Sequence, residues 1–120
     1  MNNNPTKKTD SLQQTNVIYE FSCPKEDCEL LQNIKYIGTT SATLSRRLTC
    51  HLSSGGPKQH MERVHHECIT LPIMTDNTKI LRRFHDPIRL GIAEALFIEA
   101  TAPAINLQAT GFKRTLKLFG

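Results

Sequence analysis

Two short alternating segments set close together near the start limit most strongly how this chain can fold. In Asn16-Val17-Ile18-Tyr19-Glu20-Phe21, the side chains of Val17, Tyr19 and Phe21 fall on one side of an extended backbone, the pattern of a half-buried strand. After the cysteine-bearing loop CPKEDCELLQN, the alternation resumes in Ile34-Lys35-Tyr36-Ile37-Gly38. This predicts a second strand, paired antiparallel with the first across a long hairpin connection. Gly38 closes that strand and marks a place where another backbone or a ligand comes close.

Helical periodicity follows. Thr40 or Ser41 can cap a helix running to about Leu52, in which Leu44, Leu48 and Leu52 recur every four residues as a core-facing stripe. The run SSGGP ends it. Between Lys58 and Asn77 the signals are weak: a short helix around Gln59 to His65, then an irregular stretch containing Pro72. Lys79 to Phe84 reads as a third strand. Asp86 as N-cap, with Pro87 at the first helical position, opens a helix to about Thr101, which Pro103 stops. The expected class is therefore α+β, a small three-stranded, mostly antiparallel sheet flanked by helices.

A chain of 120 residues has room for one domain. Residues 1 to about 15 are polar and aperiodic and are read as a flexible arm, 16–108 as the domain, and 109–120 as a basic tail where Lys113, Arg114 and Lys117 crowd together. No apolar run approaches the roughly 18 residues needed to span a bilayer, and no secretory leader is visible, so a membrane role is not expected. The formal charge of +4 is compatible with a polyanionic partner but is also common in proteins that bind none.

The residues with chemical content are two tyrosines on the paired strands, an arginine and a histidine on the first helix, and an isolated acid on the last. Tyr19 and Tyr36 are the only tyrosines, and pairing of their strands brings both to one face, where a phenol can orient or deprotonate water. The plainer alternative is that they pack a half-buried surface. Arg47 and His51 lie four apart and share a helix face beside the leucine stripe, from which an arginine can reach a phosphate. Arg46 points about 100° away, toward solvent or a backbone phosphate. Glu94 has Leu90, Gly91, Phe97 and Ile98 as its helical neighbours, and a carboxylate on such a stripe needs compensation. A hard cation such as Mg²⁺ would supply it, as would an ion pair with Arg82, Arg83 or Arg89.

Val17-Ile18-Tyr19, Tyr36-Ile37-Gly38, Arg47, His51, Glu94 and Asn106, in this order, resemble the GIY-YIG nucleases over about residues 16 to 108. The chain is most similar to the endonuclease domain of Penelope-like retroelements, in YIGTTSATLSRRLTCHL, in the cysteines between the two tyrosine motifs, and in EALFIEATAPAINLQ. It departs from the family signature in its first glycine, where this chain reads Asn16-Val17-Ile18. The resemblance implies Tyr19 as general base or water-orienting phenol, Tyr36 as its partner near the scissile phosphate, and Arg47 as stabiliser of the pentacovalent phosphate. It further implies Glu94 as ligand of a single Mg²⁺ or Mn²⁺, His51 as proton acceptor or water positioner, and Asn106 as a brace.

Cys23 and Cys28, together with His60 and either His65 or His66, have ligand spacing suited to a Cys2His2 zinc set that would clamp the hairpin loop to the segment after the first helix, the plainer alternative being free thiols and solvated histidines. The retroelement resemblance favours His60 and His66. Cys68 stands in reserve, and Cys50 is ordinary. The implied activity is metal-dependent nicking of a DNA strand, exposing a 3′ end for reverse transcription by a polymerase domain in cis, in the nucleus for a eukaryotic retroelement and in the cytoplasm otherwise. Arg46, Lys58, Lys113 and Arg114 are expected to touch phosphates. The competing classes are a zinc-stabilised nucleic-acid-binding module that does not cut and a protein-interaction domain.

Overall fold

The computed structural model describes residues 10–31 and 34–106. In chain order it holds β1 (Val17–Ser22), α1 (Glu26–Leu31), β2 (Lys35–Thr40), α2 (Leu44–Cys50), α3 (Gly56–His65), α4 (Leu71–Asp76), β3 (Thr78–Arg83) and α5 (Pro87–Thr101). The strands form one sheet in the order β2-β1-β3, with both pairings antiparallel. Tyr19 lies opposite Gly38 on one side and Ile80 on the other, with a register shift between Ile18 and Tyr19 against β3. The fold class expected from the sequence is the one observed.

β1 is not half-buried, as its alternation suggests, but buried on both faces. Val17, Tyr19 and Phe21 join Leu44, Leu48, Met61, Met74 and Ile105 on one side. Ile18 and Ile37 join Leu90, flanked by Leu81, Phe84, Phe97 and Ile98, on the other. A central strand covered on both sides needs apolar side chains at both parities, and Ile18 supplies the second. The sheet is thus sandwiched between α5 and a layer that includes α2 and α3.

Several local expectations are corrected. The stretch read as a cysteine loop contains α1, whose first turn holds Glu26, Asp27 and Glu29, where carboxylates suit the helix dipole. Thr40 does not cap α2. It extends β2, and its hydroxyl accepts from Ala42 N at 3.1 Å, which delays the start to Thr43, whose side chain accepts from Arg46 N. The Pro72 stretch is helical, since Thr70 caps α4 by accepting from Ile73 N and a proline in the first turn forfeits no helical hydrogen bond. Residues 10–15, read as part of the arm, are held against the domain: residues 10–12 form a helical turn, Leu12 packs against the core, and the Gln14 carbonyl accepts from Leu44 N at 2.9 Å, while residues 1–9 lie outside the described residues. β3 and α5 lie where the sequence puts them, with Asp86 accepting from Arg89 N as the N-cap. Among the described residues no helix is long and apolar enough to cross a membrane. The tail, with Lys113 and Arg114, lies outside the described residues.

Candidate functional site

Antiparallel pairing of β1 and β2 sets Tyr19 and Tyr36 on one face, their ring centroids 6.4 Å apart. Tyr19 lies across Gly38, where an added Cβ would sit 2.5 Å from its hydroxyl and 2.9 Å from a Tyr36 ring carbon. The close approach expected at Gly38 is therefore that of a neighbouring side chain. Arg47 and His51, one turn apart on α2 and at its C-cap, reach the same face. Tyr19 Oη is 2.7 Å from His51 Nε2 and accepts from Arg47 Nε at 3.3 Å. His51 also sits edge-on to Tyr36, with centroids 5.3 Å apart.

The electrostatics follow from enclosure. Tyr19 and His51 are buried, while Tyr36 and Arg47 are partly exposed. Burial raises the pKa of both phenols, opposed by Arg47. Burial, helped by Arg47, holds the His51 imidazole down at about 4 despite a hydrogen bond to the Ser54 backbone. With the phenol held protonated and the imidazole neutral, Tyr19 can donate to Nε2 in the tautomer that carries its proton on Nδ1. Tyr19 therefore links a neutral base to a fixed cation.

Glu94, halfway along α5, approaches from the β2 edge. Its carboxylate is pushed up by burial, countered by a hydrogen bond from the Thr39 side chain and by the charge of Arg47, and it is felt in turn by both tyrosines. The arginines offered as its alternative partners are engaged elsewhere: Arg89 with Asp86 at 3.9 Å, Arg83 with Gln14 at 2.7 Å, and Arg82 over the Phe84 ring at 5.5 Å. Asn106 grips the β2 backbone, accepting from Ile37 N at 2.6 Å and donating to Ile37 O at 2.8 Å. It satisfies both polar groups of an edge-strand residue as a fourth strand would. The six residues singled out from the sequence thus form one assembly, with Asn106 as its frame.

A second cluster lies at the other end of α3. Cys23, just past β1, and Cys28, on α1, meet His60 and His65, and one ligand atom from each lies within 4.8 Å of all the others. Cys23 Sγ is 3.3 Å from His65 Nε2, and Cys28 Sγ is 3.4 Å from His65 Nε2 and 3.6 Å from His60 Nε2. Burial pushes the Cys23 thiol up to about 11, and the adjacent Cys28 thiol adds to this, so two sulfurs pressed together favour a cation between them. This group can hold a metal ion. The histidine favoured by resemblance is corrected: His66 is the exposed C-cap of α3 at φ 55, past the last helical residue, and His65 reaches the cysteines instead. Cys50 and Cys68 are exposed.

Of the cations assigned to phosphates, Arg46 is exposed and Lys58 is paired with Glu62 at 2.6 Å. Sequence reasoning missed Thr39, the Ser54 backbone and the pair Gly55-Gly56. A Cβ at Gly55 would sit 3.0 Å from His51 Nδ1, and one at Gly56 would sit 2.9 Å from the Tyr36 ring. The GG dipeptide beside a proline was the available signal, and it was read only as a helix stop. Comparison with family models, with curated proteins and with solved structures found no match to the chain.

Proposed function

We propose that this chain is a metal-dependent DNA endonuclease of the GIY-YIG type, similar to that of Penelope-like retroelements, which hydrolyses a phosphodiester bond in one strand. The observation that carries the reading is the convergence of Tyr19, Tyr36, Arg47, His51 and Glu94, from β1, β2, α2 and α5, on one partly open edge of the sheet. Packing alone would not require an arginine, a neutral imidazole and a carboxylate to meet around two phenols. Inside a retroelement the nick would expose a 3′ end for a reverse transcriptase in cis.

The Tyr19 phenol, held protonated by burial, takes a proton from an attacking water only as it passes its own to His51 Nε2. Tyr36 and Arg47, the partly exposed members, meet the phosphate, and Arg47, anchored by its Nε on Tyr19, neutralises the charge that builds on the phosphoryl oxygens. A half-buried carboxylate with only a hydroxyl and a shared arginine to offset it suits a Mg²⁺ or Mn²⁺ bound by one protein ligand and waters, and Glu94 would hold it. That ion would polarise the phosphate and stabilise the leaving 3′ oxygen.

We assign the Cys23, Cys28, His60 and His65 group to a structural zinc. Bond lengths of about 2.3 Å to sulfur and 2.0–2.1 Å to nitrogen give a tetrahedral ion S···N edges of about 3.5 Å. The separations here are 3.3, 3.4 and 3.6 Å. That cluster also serves the competing reading, a zinc-stabilised module that binds nucleic acid without cutting it.

Incubation of supercoiled plasmid with the protein and Mg²⁺ or Mn²⁺, beside Glu94→Ala and Arg47→Ala, separates the two. Relaxation by the parent protein that both variants lack is the expected result. Plasmid bound but left supercoiled by all three would replace the nuclease with the binding module.

A further inference from the structure

Among the described residues, one short stretch is markedly basic. Residues 78–89 carry Lys79, Arg82, Arg83 and Arg89 against a single carboxylate, Asp86, a net +3 in a chain whose total is +4. These cations differ in how far they are neutralised. Lys79 faces Glu20 at 3.6 Å and Arg89 faces Asp86 at 3.9 Å. Arg82 and Arg83, both exposed, have uncharged partners, the Phe84 ring and the Gln14 side chain, which orient the guanidinium groups without cancelling their charge.

Arg83 borders a cleft of about 610 Å³ lined by Gln14, Thr15, Asn16, Phe84 and His85. The cleft is built into the fold. Asn16 adopts the left-handed conformation, φ 54, and its carbonyl accepts from Phe84 N at 2.8 Å, which ties the entry to β1 against the exit from β3. The cleft also stands in a defined relation to the tyrosine cluster. Thr40, Val17 and Arg83 form one row across the sheet, two residues along β1 from the row that pairs Tyr19 with Gly38. With strands about 4.8 Å apart and a rise of about 3.4 Å per residue, the Arg83 and Gly38 backbones are roughly 12 Å apart. That is about three to four nucleotide steps at 3.4 Å along a strand.

We infer that the end of the edge strand β3, with Arg83 and His85 at the cleft beside the Thr15-Asn16 turn and Arg82 on the opposite face of the same strand, is a second phosphate-contacting surface that holds the DNA backbone a few nucleotides from the cleavage site. This rests on the proposed DNA substrate and extends the contact surface beyond Arg46 and Lys58, on α2 and α3. Guanidinium groups with neutral partners suit phosphodiester oxygens, because no ion pair must break before the nucleic acid is engaged. The surface positions DNA and reads no bases.

The test measures binding of a 25-base-pair duplex by the full chain carrying Glu94→Ala, across a salt series, alone and with either Arg82→Gln/Arg83→Gln or Arg63→Gln, an exposed cation on α3. Each lost phosphate contact lowers the slope of log K against log salt by about 0.9, so the double variant should lose about 1.8 and bind roughly 60-fold more weakly at 0.1 M salt. Arg63→Gln should leave affinity and slope unchanged. Circular dichroism of each variant checks that the fold survives removal of the Gln14 contact, and single Arg82→Gln, which leaves that contact intact, should lose about 0.9 of slope, half the loss of the double variant. Unchanged slope in the double variant, equal losses in Arg63→Gln, or no duplex binding by the parent would overturn the inference. Absence of plasmid nicking together with the predicted slope change would instead remove the nuclease reading and leave this surface standing.

Discussion

His65 and His66 are neighbours in sequence, and the structure separates them completely, so replacing each with alanine tests the metal cluster at single-residue resolution. His65 Nε2 lies 3.3 and 3.4 Å from the two cysteine sulfurs, whereas His66 is the exposed residue that ends α3. A structural zinc contributes roughly 10–16 kcal/mol of apparent binding free energy, so losing one of four ligands should remove about 2.5–4 kcal/mol. At about 1.4 kcal/mol per tenfold, that is a rise in Kd of roughly 60- to 700-fold for His65→Ala. His66→Ala should leave Kd unchanged. Competition against a chromophoric zinc chelator gives both constants, and elemental analysis gives the stoichiometry. Equal affinities for the two variants, or a loss confined to His66→Ala, would refute the assignment of ligands.

Two glycines should respond in opposite directions when replaced by alanine. Gly38→Ala places a Cβ 2.5 Å from the Tyr19 hydroxyl and should lower stability by about 1–3 kcal/mol in urea unfolding, whereas Gly91→Ala, in mid-helix with open space around it, should raise stability by up to about 1 kcal/mol. His51 should make stability depend on pH. Its folded pKa of about 4 lies below the ordinary 6.5, so the unfolded chain binds the extra proton between these values, and stability should fall as pH drops through that window. The span is at most about 3 kcal/mol, and unfolding midpoints that fall equally in His51→Gln would assign the effect to another group.

The sheet and α5 were legible because their signals are local: alternation in β1 and β2, broken only by Ile18 and Ile37, and an Asp-Pro start with a proline stop around α5. The tyrosine cluster was legible because antiparallel pairing alone fixes which side chains share a face, and a four-residue helical spacing brings Arg47 and His51 along. The remainder depended on tertiary contacts. Burial of β1 on both faces is set by α5 arriving across the sheet, and within residues 17–22 only Ile18, apolar on the otherwise polar parity, signals it. The choice between adjacent histidines turns on where α3 ends, and element boundaries are the least certain part of a sequence reading. Thr40 failed as a cap because a β-branched threonine serves a strand end equally well.

The Gly55-Gly56 step makes α3 a mechanical link between the two clusters. Its first residue abuts the Tyr36 ring, the preceding glycine abuts His51, and it carries His60 at its middle and His65 at its far end. Ten residues make a rod of about 15 Å, so a tilt of only about 5° about the near end would move the far end by about 1.3 Å, and the converse holds for a pivot at the cysteines. Displacements of about 1 Å near reacting groups cost about 100-fold in rate. An ion held by the Cys23, Cys28, His60 and His65 group would therefore set the tolerance to which the aromatic groups at the other end are held, and its loss would disturb their alignment before the sheet itself came apart.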